Sequence, residues 1–291
     1  MIKHRRATIY RSNDKSESFH SLLSHHHTLL KDKIHALRVI NELSSKVLDS
    51  HLQSMSEEMD QKVAKLPKKA KSEYDSIGME MLALYDESIK ADDLNIEHPM
   101  VAKTILEETK MYNDREHIRR SSKEMILIYL IIVFEEFLAN LLSSLFRKRP
   151  EILKSSQKSI TYQEAFQHID LYELLKMTSK IEARSVIDLD IDKLGEYLNK
   201  KFKFSLNQRT DWDQFKEFFY RRHVIVHNYG YPDSIYIAKV KNKVNEDEWL
   251  KTDNTYLAKA FDHFEKYSNH ISAFFDKKYS QLKNTDANLN S

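Results

Sequence analysis

A chain of 291 residues, 41% of them hydrophobic, holds enough apolar material for one large domain or two modest ones. Only 3 glycines and 4 prolines argue against all-β and Rossmann-type architectures, which need far more turn punctuation, so the chain reads as all-α. A net charge of +2 from 46 basic and 44 acidic residues excludes a global electrostatic commitment to nucleic acid, and the lack of cysteine excludes disulfides, thiolate zinc sites and cysteine nucleophiles.

The first 18 residues are polar and expected to be loose. Met1-Ile-Lys-His-Arg-Arg is basic but leads into Ser, Asp and Lys without the apolar core of a signal peptide, which sets a cytoplasmic expectation. From Phe19 through Leu30, Ile34, Leu37, Leu52 and Met59 to Val63 the apolar residues step mostly by threes and fours, and Pro67 ends the run. This predicts a long helix, or two in line. A second helix fits residues 69–90, with a loop at Asp92, Asp93 and Pro99, and a third fits 101–112. Residues 1–114 therefore form a helical N-terminal region, with a sensor, regulatory or dimerisation role all open. Its lysines, Lys65, Lys68, Lys69 and Lys71, suit a solvated helix face better than a phosphate track. Three consecutive histidines, His25, His26 and His27, invite a metal, but on a helix they point in three directions, and a polar face is the better reading. No metal or cofactor is expected.

Arg119-Arg120-Ser121-Ser122 precedes the most apolar stretch, Met125 to Phe134, which runs on through Glu135-Glu136 to Arg147-Lys148-Arg149-Pro150. The length approaches a membrane span. Two glutamates near the middle oppose that, since a charge at the centre of a lipid-embedded helix costs on the order of a few kcal/mol. A buried core helix is expected, with no membrane partner. Glu135 has Ile128, Ile131, Ile132, Leu138, Ala139 and Leu142 around it, whereas Glu136 shares a face with Asn140 and Ser143.

Another helix is predicted from a cap at Thr161 to about Ile181, and a short one over 191–201. Residues 211–230 then read D-W-D-Q-F-K-E-F-F-Y-R-R-H-V-I-V-H-N-Y-G. Trp212, Phe215, Phe218, Phe219, Ile225 and Val226 recur at helical spacing and define one apolar stripe. Arg222 stands within it, with Phe218, Phe219, Ile225 and Val226 one turn away on either side. A charge on such a face is expensive unless paired, so Glu135 and Arg222 are expected to meet. His227 lies five residues on, about 140° around, and His223 one turn before it, so the three side chains fan over one side of the last turns. The helix should stop near Asn228-Tyr229-Gly230, before Pro232. Alternation in Ser234-Ile-Tyr-Ile-Ala-Lys-Val predicts a small extended or hairpin insertion near 234–250. Asn254 caps a last helix with Leu257, Phe261, Phe264, Tyr267, Ile271 and Phe274 inside, and residues 283–291 are a polar tail.

The stretch Arg222-His223-Val-Ile-Val-His227-Asn228 resembles the signature of the HEPN superfamily: an Arg, a following polar residue, and a His four to six intervening residues later near a helix end. The aromatic-rich helix before it, the Glu135-Glu136 helix upstream and the closing helix after a short insertion extend the likeness over about residues 115–282. The resemblance implies a helical bundle that forms a homodimer, with Arg and His of two subunits lining one cleft. It implies a metal-independent endoribonuclease of the kind found as toxins beside an antitoxin, or in defence against phage, and also non-catalytic binding members. His227 would be the acid/base, Arg222 the phosphate clamp, and His223 an orienting group or second proton carrier, with Asn228, Tyr229 and Glu135 supporting.

The residue types themselves suit RNA cleavage. The 2′-hydroxyl of RNA is an internal nucleophile, an imidazole moves protons near neutrality, and a guanidinium forks onto two phosphate oxygens. The rival readings are basic side chains capping a helix end, an i,i+4 zinc pair of His223 and His227 lacking a third ligand, and a non-catalytic interaction module.

Overall fold

The computed structural model describes residues 17–85, 96–155, 170–240, 244 and 248–280. These are helical, with no strand among the described residues. The α-helices are α1 (Phe19–Ala64), α2 (Lys68–Tyr85), α3 (Pro99–Lys148), α4 (Leu171–Ile187), α5 (Ile191–Phe202), α6 (Trp212–Asn228), α7 (Ser234–Val240) and α8 (Asn254–Tyr279), with 3-10 turns at Pro150–Ser155 and Leu206–Gln208.

The chain divides into two compact units, one of Met1–Arg38 with Ile126–Ser291, the other of Val39–Met125. The division differs from the expected boundary at residue 114. The reason is the apolar stripe of the first turns of α1: Phe19, Leu23, Leu30, Ile34 and Leu37 are each at most 4% exposed and belong to the core built by α3, α5, α6 and α8.

In the smaller unit, Leu66, Ala70, Ile77, Val101 and Ile105 form a separate core. Lys123 is buried there, its Nζ donating to Asn41 Oδ1 at 2.7 Å and Ser45 Oγ at 2.6 Å. Burial, with Arg119 nearby, lowers its pKa from the ordinary lysine value. The helix expected over 101–112 and the apolar stretch after it are one continuous α3. Pro99 opens it, where a missing N–H costs nothing, and His98 Nδ1 accepts from the Met100 amide at 3.2 Å. Residues 100–148 contain neither Gly nor Pro, and the Arg119–Glu116 and Arg120–Glu124 pairs reinforce the helix across the Arg-Arg-Ser-Ser segment.

The second half of α3 is the central element of the larger unit. Its apolar stretch is long enough to cross a membrane by length and composition, yet Leu127, Leu130, Ile131, Phe134, Leu141 and Leu145 are fully buried in the bundle. Phe134 packs edge-on against Phe215 of α6 and Phe264 of α8, and Phe215 stacks on Tyr267 with ring centroids 3.7 Å apart.

Two local expectations are corrected, and one helix ends later than expected. The region 234–240 is helix α7, not an extended insertion: Asp233 Oδ1 accepts from the Tyr236 amide at 2.7 Å, and Tyr236 and Val240, four residues apart, are the buried positions. Helix α4 is capped by Asp170 and runs to Ile187; the expected cap at Thr161 lies outside the described residues. The cap of α8 is Asp253, whose carboxylate accepts from the Tyr256 amide, one residue before Asn254.

Candidate active site

Helix α6 is held at both ends. At its start the Asp211 carboxylate accepts from Lys266 at 2.6 Å, Tyr267 at 3.0 Å and Arg209 at 3.1 Å. Burial alone would raise that carboxyl, but these donors hold it well below the usual range. At its end Tyr229 adopts the left-handed conformation at φ 52°, Gly230 follows at φ 86°, and the Gly230 amide reaches back to the Val224 carbonyl at 3.1 Å.

Between those anchors the two adjacent arginines part company, since neighbouring helix positions are about 100° apart. Arg221 goes inward. It is 9% exposed, donates to Glu217 Oε1 at 2.7 Å and to the Lys251 carbonyl at 2.8 Å, and lies 4.0 Å over the Tyr256 ring. Tyr236 and Tyr256 each donate to Glu217 at 2.6 Å, completing a buried polar cluster that fixes α7 and the start of α8 against α6. The sequence does not reveal this cluster, because Glu217 and Arg221 look like an ordinary i,i+4 surface pair; the tyrosines that bury it come from elsewhere.

Arg222 turns to the opposite side, toward α3. Its Nη1 donates to Glu135 Oε1 at 2.7 Å, so the two charges placed on apolar helix faces do meet. Their side chains are 35% and 23% exposed, at the edge of the core and not inside it. Burial pushes the Glu135 carboxyl above its ordinary value even though the Arg222 guanidinium pulls the other way. Val226, counted in the apolar stripe, is 53% exposed beside this pair.

Glu135, Arg222, His223 and His227 line one groove of about 680 Å³. His223 and His227 are exposed, their ring centroids 4.6 Å apart. Asn228 and Tyr229 do not line this groove: the Asn228 amide donates to the Tyr231 carbonyl at 2.6 Å and closes the turn, and Tyr229 is 83% exposed. The groove contains groups that no sequence motif had flagged. Arg184, Asp188 and Asp190 enter from α4 and the link to α5, so three carboxylates face two guanidiniums. Asp190 caps α5 by accepting from the Asp192 amide at 2.9 Å, and the Tyr220 hydroxyl beside it donates to Asp192 Oδ2 at 2.8 Å. Arg184 forms a close ion pair with Glu136.

The histidine run is dispersed as its helical spacing requires. His26 Nε2 lies 3.2 Å from Ser144 Oγ, His27 packs on the Phe137 ring, and burial lowers both imidazoles to about 4. No group of three or more His, Asp or Glu among the described residues is arranged to hold a metal ion.

The fold and groove together define an all-α protein with a basic, imidazole-bearing helix end facing a carboxylate-lined groove. No family profile, curated protein or solved structure matches the chain, so the HEPN resemblance rests on its own residues.

Proposed function

We propose that this protein is an endoribonuclease that cleaves RNA by attack of the 2′-hydroxyl on the adjacent phosphodiester. The observation that carries the reading is the convergence of Arg222, His223 and His227, with Glu135 behind them, in a single groove of nucleotide size. An imidazole, His227, removes the 2′-hydroxyl proton. The 2′-oxygen bonds to phosphorus, and the 5′-oxygen of the next nucleotide leaves with a proton from the second imidazole, His223. The products are a 2′,3′-cyclic phosphate and a 5′-hydroxyl. Arg222 is the phosphate clamp, its guanidinium forking onto the non-bridging oxygens where charge gathers.

Binding requires Arg222 to exchange Glu135 for phosphate. A partly exposed ion pair is worth little, about 1 kcal/mol or less, and burial already disfavours the charge on Glu135, so the exchange is accessible. A second copy of the chain would bring a second Arg222 and His227 to the phosphate. Ile132, Val226 and Ile235, 45%, 53% and 57% exposed, give the groove an apolar rim that suits such a homodimer. A toxin or phage-defence role, with an antitoxin or other partner protein, follows from the family resemblance alone.

A second reading is a non-catalytic interaction module. It is favoured by the excess of carboxylates over guanidiniums in the groove and by the neutralisation of Arg222 in the resting pair. One experiment separates the two. Matched RNA and DNA oligonucleotides are incubated in EDTA with the intact protein or with His227→Ala. RNA cut to cyclic-phosphate and 5′-hydroxyl ends by the intact protein only supports the nuclease; uncut RNA, equal cutting of DNA, or equal cutting by the variant rejects it.

A further inference from the structure

A second groove of about 540 Å³ lies against the first, along the seam of α3 and α4. Arg184 and Asp188 line both, so the two form one continuous depression with Arg184 at the junction. Beyond the junction its polar groups are Lys180 and Ser185 from α4 and Glu136, Asn140 and Ser143 from α3. Lys180 and Arg184 are both exposed and stand one turn apart on the same face of α4, about 6 Å along the axis, a step comparable to that between successive phosphates of a single strand.

The Arg184–Glu136 pair is 56% and 39% exposed on its two sides, and Asn140 Nδ2 shares Glu136 at 3.0 Å. An exposed pair of this kind stabilises the fold by about 1 kcal/mol at most, so Arg184 is free to trade Glu136 for a phosphate while Asn140 keeps the carboxylate hydrogen-bonded. Lys180 makes no ion pair among the described residues. The apolar lining is Ala139, Ala183 and Ile181, and offers no ring for a base to stack on. Such a surface suits a sugar-phosphate backbone better than a base-reading pocket.

We infer that the α3–α4 groove is an extended substrate track, in which Arg184 and Lys180 hold successive phosphates on one side of the scissile one. This rests on the ribonuclease reading. It adds that the protein grips a strand of several nucleotides running from Arg222 past Arg184 to Lys180, so that affinity grows with RNA length on one side of the cut.

The test uses full-length protein carrying His227→Ala, with dinucleotide and eight-nucleotide RNAs, and measures affinity across a salt series with and without Lys180→Ala. The track predicts that Lys180→Ala reduces the eight-to-two-nucleotide affinity ratio and lowers the slope of log affinity against log salt for the longer RNA by about 0.7, the value for one phosphate contact on a single strand. Lys180→Glu should reduce both further. If Lys180→Ala leaves the ratio and slope at their starting values while Arg222→Ala weakens the binding of both RNAs, the strand leaves the site by another route, and the track is wrong though the ribonuclease reading stands. If RNA of neither length binds, both fall together.

Discussion

The Arg222 guanidinium of α6 and the Glu135 carboxylate in the second half of α3, 87 positions apart in sequence, meet at 2.7 Å. The contact sets the resting state of the candidate clamp. Glu135→Gln keeps the shape but removes the competing charge, so RNA affinity measured in the His227→Ala background should rise. The stability change should stay within about 1 kcal/mol, as for other partly exposed pairs. An unchanged or weaker affinity would show that Glu135 orients Arg222 and does not restrain it.

Arg221 and Arg222 should separate stability from activity. Arg221→Met strands Glu217, 7% exposed, and should cost about 3 kcal/mol or more in urea unfolding. Arg222→Met should cost about 1 kcal/mol or less, yet abolish RNA cleavage. A reversal of the two effects would mean that the inner arginine serves the groove.

Acid should loosen the packing of α1. Burial lowers His26 and His27 to about 4, with His25 and Lys31 adding to the effect and Glu136 opposing it at His26. Their folded pKa lies below the unfolded value, so the unfolded chain takes up protons first. The stabilisation is complete above about 6.5 and is lost progressively as pH falls toward about 4. The urea midpoint should drop between pH 7.5 and pH 5, and His26→Gln with His27→Gln should flatten that dependence.

Tyr229 holds a left-handed conformation that a bulky L-residue rarely adopts, at a cost of about 1 kcal/mol. Tyr229→Gly should therefore raise the melting temperature. Because Tyr229 does not line the groove, dinucleotide cleavage by this variant also decides whether the residue touches substrate: lost activity in a more stable protein would assign it that role.

The periodicity of residues 212–228 and the charges misplaced on two apolar faces were enough to read the helix and its link to α3. Helix α7 was hidden because a seven-residue helix can bury only Tyr236 and Val240, and with Ile235 exposed the pattern imitates a strand. The continuity of α3 was hidden because Arg119 and Arg120 carry no periodic apolar signal; their acid partners, three and four residues away, supply the reinforcement. Arg184, Asp188 and Asp190 were unreadable as site residues because only the packing of α4 and α5 beside α6 brings them to the groove.

The Leu250 amide donates to the Gly230 carbonyl at 2.9 Å, and Arg221 reaches the Lys251 carbonyl at 2.8 Å. The chain leaving α6 is thereby stitched to the chain entering α8, and the segment that carries α7 departs from and returns to one fixed knot. Lengthening such a closed excursion is cheap, about 0.6 kcal/mol per doubling of a flexible loop. Exposed Glu248, just before that knot, is thus a place to graft a fluorophore or an affinity handle while the histidines at the helix end keep their setting.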